Sequence, residues 1–162
     1  MADILHIVCP DCSSINSLPG DKLTDHPVCG KCKKLIFHRT PLELTAYNFN
    51  KHLKNNHIPV LVDFWASWCG PCQSFTPVFE AASEKNPDMA FAKVNTEEQM
   101  ELAANFQVRS IPMLAIFKEQ VMVYAQPGAL PASSLDQLIE QVKELDMDKV
   151  RADIAEQQKN KA

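Results

Sequence analysis

Six cysteines fall as three Cys-x-x-Cys pairs, Cys9 with Cys12, Cys29 with Cys32, and Cys69 with Cys72. Pairs of this spacing serve two chemistries, metal ligation and thiol–disulfide exchange. The first two pairs stand sixteen residues apart, a separation that suits two knuckle turns closing on one tetrahedral zinc ion through four thiolates. One structural Zn²⁺ held by Cys9, Cys12, Cys29 and Cys32 is therefore expected, and ligation would supply folding energy to that part of the chain. Two disulfides are the alternative, disfavoured by the reducing compartment that an N-terminus without an export signal implies. His6, His26 and His38 lie nearby but are not needed, because four sulfurs complete the shell.

The third pair sits in a different setting, Trp65-Ala-Ser-Trp-Cys-Gly-Pro-Cys72, directly after an apolar run and at the start of a helical pattern. A cysteine at a helix start meets unpaired backbone donors and the positive end of the helix dipole, both of which favour a thiolate. Cys69, exposed at the first turn, is the expected attacking sulfur; Cys72, one turn further in, is placed to resolve a mixed disulfide. Gly70 permits close approach of a substrate backbone, Pro71 suits the first helical turn, and Trp68 is expected to shield the nucleophile from one side. A metal site made by this pair alone is the weaker reading, since two ligands cannot close a shell. Asp63 stands inside Val-Leu-Val-Asp-Phe-Trp, where an unpaired charge is costly and its pKa is driven up. The expected role is acid–base: accepting the Cys72 proton through water. Lys93, inside Phe-Ala-Lys-Val, is a second charge in an apolar strand and the expected partner of Asp63, the alternative being a lysine that snorkels to solvent.

Elements must hold these groups in place. A helix capped by Thr45 is expected through Tyr47, Phe49 and Leu53, followed by a buried central strand over 58–65. The next helix runs from Cys69 to Lys85 with Phe75, Val78, Phe79 and Ala82 on its apolar face and a kink at Pro77. A strand over 89–95, a helix over about 97–105, an antiparallel hairpin of 113–117 with 121–124, and an amphipathic helix carrying Leu135, Leu138, Ile139, Val142 and Leu145 complete the pattern. Fold class α/β, with a central mixed sheet flanked by helices, is the consequence. Residues 1–38 hold four cysteines and few large apolar side chains, so no ordinary core is expected there; 39–43 is the expected linker, 44–145 the main domain, and 146–162 a polar helical extension with a frayed tail.

Of the 162 residues, 46% are hydrophobic and 22% charged, a globular composition. A net charge of −4 offers no basic field for phosphate neutralisation, so nucleic acid is not an expected partner. No run approaches the roughly 18 apolar residues of a membrane span, and a soluble, cytoplasmic monomer is expected.

The stretch 44–145, with its Trp-Cys-Gly-Pro-Cys motif, buried Asp63 and Lys93, resembles thioredoxin. The four-cysteine segment before it makes the whole chain most similar to the zinc-containing second thioredoxins of bacteria. The resemblance implies the thioredoxin fold with a small N-terminal zinc-knuckle or ribbon module. It implies a redox pair at Cys69 and Cys72, a cis-proline loop at Ile111-Pro112 facing it, and a substrate-groove glycine at Gly128. It also implies protein-disulfide reduction, with disulfide-containing clients and a thioredoxin reductase as partners. NADPH is then used only through that reductase, with no organic cofactor bound to the chain itself. Three departures stand out: Gln73 where a basic residue is common, Met113 where threonine is usual, and Glu119-Gln120 in place of an Asn-Gly turn. A disulfide isomerase or oxidant, a zinc-dependent client-binding holdase, and a redox sensor are the rival functions.

Overall fold

A computed structural model of the chain describes residues 3–37 and 40–160. His38 and Arg39, where the expected N-terminal segment meets the expected linker, lie outside the described residues, as do Lys161 and Ala162 at the end of the expected tail.

The apolar run Val60-Leu-Val-Asp-Phe-Trp65 forms β4, the middle strand of a five-stranded sheet. Near-continuous burial along it follows from helices covering both faces. The sheet runs in the order β3 (Leu42–Glu43), β5 (Ala90–Asn95), β4, β6 (Met113–Lys118), β7 (Val121–Pro127). β4 pairs parallel with β5 and antiparallel with β6, so the sheet is mixed as expected. Leu42 and Glu43, inside the expected linker, are drawn into the edge strand β3 by parallel pairing with Ala92 and Lys93.

Strand alternation divides the core. Leu61 faces a cluster with Phe75, Phe79, Leu114, Leu135 and Ile139, built against α2 (Gly70–Lys85) and α4 (Ala132–Glu144). Val60, Val62 and Phe64 face the other layer with Leu44, Phe49 and Leu102, under α1 (Phe49–Asn55) and α3 (Met100–Asn105). By the same alternation Asp63 shares the Leu61 face, the one that α2 covers. Full burial of each such Leu or Phe stabilises the fold by about 1.5–3 kcal/mol.

Local polar groups move two helix starts. The first helix begins at Phe49, later than expected, because Thr45 and Asn48 form a turn of their own. Asn48 Oδ1 accepts the Thr45 N–H at 2.7 Å and Thr45 Oγ1 accepts the Tyr47 N–H at 3.2 Å. α3 begins at Met100 because Asn95 Oδ1 takes the N–H groups of Glu97 and Glu98 and holds a turn there. α2 continues as a single element through Pro77.

The N-terminal segment is more structured than expected. β1 (Ile4–Val8) and β2 (Ile15–Pro19) form an antiparallel hairpin. Ile7, Cys9, Leu23, Cys29 and Ile36 make a small buried cluster, completed by Ile58 from the chain entering β4. The missing apolar mass is thus supplied by the neighbouring domain. At the other end, α5 (Met147–Asn160) is capped by Asp146 Oδ1, which accepts the Asp148 and Lys149 N–H groups. Met147 is buried, while Val150 and Ile154 are half-buried. Among the described residues no helix is long and apolar enough to cross a membrane.

Candidate functional site

β4 ends at Trp65, and the chain turns through Ala66, Ser67 and Trp68 to reach Cys69, the N-cap of the 16-residue α2. Gly70 and Pro71 open the helix, where the missing proline N–H leaves no intrahelical bond unmade. Cys69 and Cys72 are joined as a disulfide. The Cys72 N–H donates to Cys69 Sγ at 3.2 Å, one of the free donors of the first helical turn. Cys69 Sγ lies 3.6 Å from the Ile111 carbonyl oxygen, and the Ile111-Pro112 peptide bond is cis. Gly128, at φ +113°, donates its N–H to the Pro112 carbonyl at 2.8 Å. Cys69, Cys72, Ile111, Pro112 and Gly128 are therefore brought to one end of the sheet.

Cys69 was expected to be exposed, yet it is 4% exposed and Cys72 1%. Both sulfurs of the disulfide face inward, where Trp65, Ala66 and Ile111 pack around them. Trp68, expected to shield the nucleophile, is 72% exposed and stands out into solvent. A Cβ added at Gly70 would meet nothing within 4 Å, so that side of the helix mouth is open.

Asp63 is fully buried, and neither carboxylate oxygen has a hydrogen-bond partner. Burial raises its carboxyl from 3.8 to about 7, against a smaller downward pull from Lys93. The two residues are directly opposed in the β4–β5 register. The expected pairing is not a hydrogen-bonded ion pair, however: the Lys93 Nζ sits 4.6 Å from the centroid of the Trp65 ring. A half-buried lysine keeps its solvent contact over an aromatic face, and only its field reaches the carboxylate.

Spacing alone could not reveal the polar ties of the turn before Cys69. Thr96 donates its N–H and its hydroxyl to the Trp65 carbonyl at 2.9 and 3.0 Å. Glu97 Oε1 accepts both the N–H and the hydroxyl of Ser67, at 3.0 and 2.7 Å. These bonds hold the Glu97 carboxyl below its ordinary range. From the opposite side Gln73 Nε2 donates to the Ser67 carbonyl at 2.9 Å. Ser67 and Glu97 are thirty residues apart in the chain, with nothing in the motif to link them.

The second sulfur centre lies beyond the far end of β4, on the Ile58 side. Cys9, Cys12, Cys29 and Cys32 offer four Sγ atoms within 4.8 Å of one another. Two of the separations are 3.7 Å (Cys9 to Cys32) and 3.6 Å (Cys12 to Cys29). A tetrahedron of Zn–S bonds of about 2.3 Å has edges of about 3.8 Å, so the donor set fits zinc in type, number and spacing. Each knuckle aims a backbone N–H at a sulfur, Asp11 to Cys9 and Lys31 to Cys29, both at 3.4 Å. Donors from the Cys32 backbone and from Asn16 pull the Cys29 thiol down to about 6, while burial pushes Cys9 up to about 12. A thiol as resistant to ionisation as Cys9 needs a cation beside it to become a ligand.

Comparison with known proteins agrees with this geometry. Residues 40–141 match the family model described as Thioredoxin. Residues 8–34 match a zinc-ribbon model described as Thioredoxin 2, N-terminal. A Streptomyces coelicolor protein carrying a thioredoxin 2 designation is 56% identical over 117 residues, covering 72% of this chain and 87% of the relative. Thioredoxin C-3 of Corynebacterium nephridii is 41% identical over 135 residues, covering 83% and 93%. Among solved structures, a mutant thioredoxin from Halobacterium salinarum superposes with a TM-score of 0.61 at 35% identity, over 67% of this chain and 95% of that one.

Proposed function

The chain belongs to the thioredoxin family of thiol–disulfide oxidoreductases, and from that premise we propose that it reduces protein disulfides through the Cys69–Cys72 dithiol. The observation that carries this reading is the Cys72 N–H directed at Cys69 Sγ at the mouth of α2. The same donor and the helix dipole stabilise a thiolate at Cys69 once the pair is reduced.

In the reduced protein the Cys69 thiolate attacks one sulfur of a client disulfide. A mixed disulfide forms and the first client sulfur leaves as a thiolate. The Cys72 thiol then loses its proton and attacks Cys69 Sγ, so the second client sulfur leaves and the Cys69–Cys72 disulfide closes. Two electrons pass from the protein to the client, whose two leaving thiolates take up one proton that came from Cys72 and one from solvent, where Cys69 had released its own on ionising. Asp63, near neutrality in its affinity for protons, is the proposed acceptor for the Cys72 proton, since a base works best when its pKa lies near the operating pH. Lys93 tunes that affinity through its field. The proposed client groove is formed by Trp68, Gly70, Pro71, Ile111, Pro112 and Gly128. A thioredoxin reductase drawing on NADPH is the proposed source of electrons, a cycle suited to the cytoplasm.

In the ribbon module, Cys9, Cys12, Cys29 and Cys32 are the proposed ligands of one structural zinc ion, which when bound would offset their charge and tie the β1–β2 hairpin to the Cys29 loop. Reduction of insulin disulfides with dithiothreitol as electron source is expected to show turnover that disappears in Cys69→Ser. Undiminished turnover in that variant would overturn the reading.

A further inference from the structure

The backbone that carries Trp68 and Cys69 out of the central strand is held from two sides. The turn after β5 takes the Trp65 carbonyl through Thr96 and the Ser67 N–H and hydroxyl through Glu97. Gln73, on α2, takes the Ser67 carbonyl. Glu97 is itself fixed, because Asn95 Oδ1 accepts its N–H at 2.9 Å. All three polar groups of Ser67 are thus engaged by residues that belong to other elements. The neighbouring Trp68, by contrast, is a large apolar side chain left 72% exposed at the helix mouth.

We propose that Glu97 and Gln73 are positioning residues that preorganise the Ser67–Trp68 turn for docking of the client chain. This inference rests on the proposed disulfide-reductase function. An unclamped turn would have to be ordered each time a client binds, at a cost in conformational entropy that falls on affinity and leaves the exchange step alone. Gln73 then has a reason to replace a basic residue: its amide reaches the Ser67 carbonyl while leaving the adjoining Glu97 carboxylate to bond Ser67.

Insulin reduction by wild type, Glu97→Ala, Glu97→Gln and Gln73→Ala tests this, with dithiothreitol in excess. Loss of the Glu97 bonds is expected to raise KM for insulin about threefold to tenfold with little change in kcat, the equivalent of one or two net hydrogen bonds. Glu97→Gln, which retains an acceptor oxygen, restores KM, and Gln73→Ala moves KM in the same direction as Glu97→Ala. An unchanged KM in Glu97→Ala, a loss confined to kcat, or a Gln variant as impaired as the Ala variant would overturn the proposal. Should wild type itself show no turnover, the reductase reading fails, and amide hydrogen exchange at Ser67 and Trp68 decides the clamp separately. Faster exchange in Glu97→Ala supports it, and equal exchange overturns it.

Discussion

At the scale of single residues, the buried carboxylate of Asp63 departs far from its ordinary behaviour. Its folded-state pKa of about 7 lies above the ordinary 3.8, and desolvation is the leading cause. The folded protein therefore holds this proton more tightly than the unfolded chain does. Between about pH 4 and pH 7 the folded state keeps a proton that the unfolded state has lost, so stability declines as pH rises through that window. A rise of this size corresponds to about 4 kcal/mol, present below pH 4 and lost above pH 7. Asp63→Asn removes the titration while keeping the shape. The oxidised variant is expected to gain on the order of 4 kcal/mol over oxidised wild type at pH 8, and little at pH 4. Urea denaturation at the two pH values measures the difference; an advantage of equal size at both would show that desolvation of Asp63 is not its source. Slowed insulin turnover in the same variant would separate what the acid does for exchange from what it costs the fold.

At the scale of elements, the packing of the C-terminal helices turns on a lysine in a strand. Lys118, the last residue of β6, donates its Nζ to the carbonyls of Val142, Lys143 and Leu145 at 2.7, 3.2 and 3.1 Å. These carbonyls lie at the end of α4, where the Val142 oxygen also accepts the Leu145 N–H, and a cation there meets the negative end of the helix dipole. Partial burial depresses the lysine pKa, yet the three acceptors hold the ammonium in place. Lys118→Met keeps most of the apolar stem and removes the Nζ donor from all three carbonyls, leaving Val142 only its bond from the Leu145 N–H. It is expected to lower stability by about 1–3 kcal/mol, with amide exchange fastest at the α4–α5 junction; protection unchanged there would refute the capping role. None of this was legible in the sequence, where Lys118 falls in the short Lys-Glu-Gln connection expected between the hairpin strands. β4 was legible, since a β-branched run buried on both faces has few other readings, and so was α4 from its three-to-four spacing. The β6–β7 turn was legible only in part. Glu119 and Gln120 adopt φ of 50° and 72°, the left-handed geometry for which Asn-Gly is preferred. Glu119 bonds Arg151 of α5 and Gln120 bonds the Lys54 carbonyl, so tertiary contacts hold side chains that local turn preference would not choose.

At the scale of the whole molecule, the two sulfur centres are separated by the length of the central strand. β4 spans about 17 Å from Val60 to Trp65, with the ribbon docked before its first residue and the redox pair beyond its last. The docking is specific: Val8 N–H donates to Asn56 Oδ1 at 2.8 Å, His6 N–H to His57 Nδ1 at 3.0 Å, and His57 N–H back to the His6 carbonyl at 2.8 Å. The two imidazole rings stack with centroids 4.6 Å apart. The spacing made the four-cysteine cluster legible, but this seam was hidden, because its partners lie some fifty positions apart and Ile58 reads as part of a strand. The seam decides what metal loss should do. Without a cation the Cys9 thiol stays protonated and the knuckles lose their common centre, so the cluster that buries Cys9, Cys29 and Ile58 opens. Exposure of Ile58 and release of the β1 hydrogen bonds is expected to cost about 2–4 kcal/mol, or a fall in Tm of about 5–15 °C. Cys69 and Cys72 belong to a cluster that includes none of Cys9, Cys12, Cys29 and Cys32, so insulin turnover at 25 °C should survive chelation. Calorimetry and the reductase assay on one chelated sample test both halves. An unshifted Tm would mean that the ribbon is merely tethered, and abolished turnover would mean that the strand between the two centres transmits more than its packing implies.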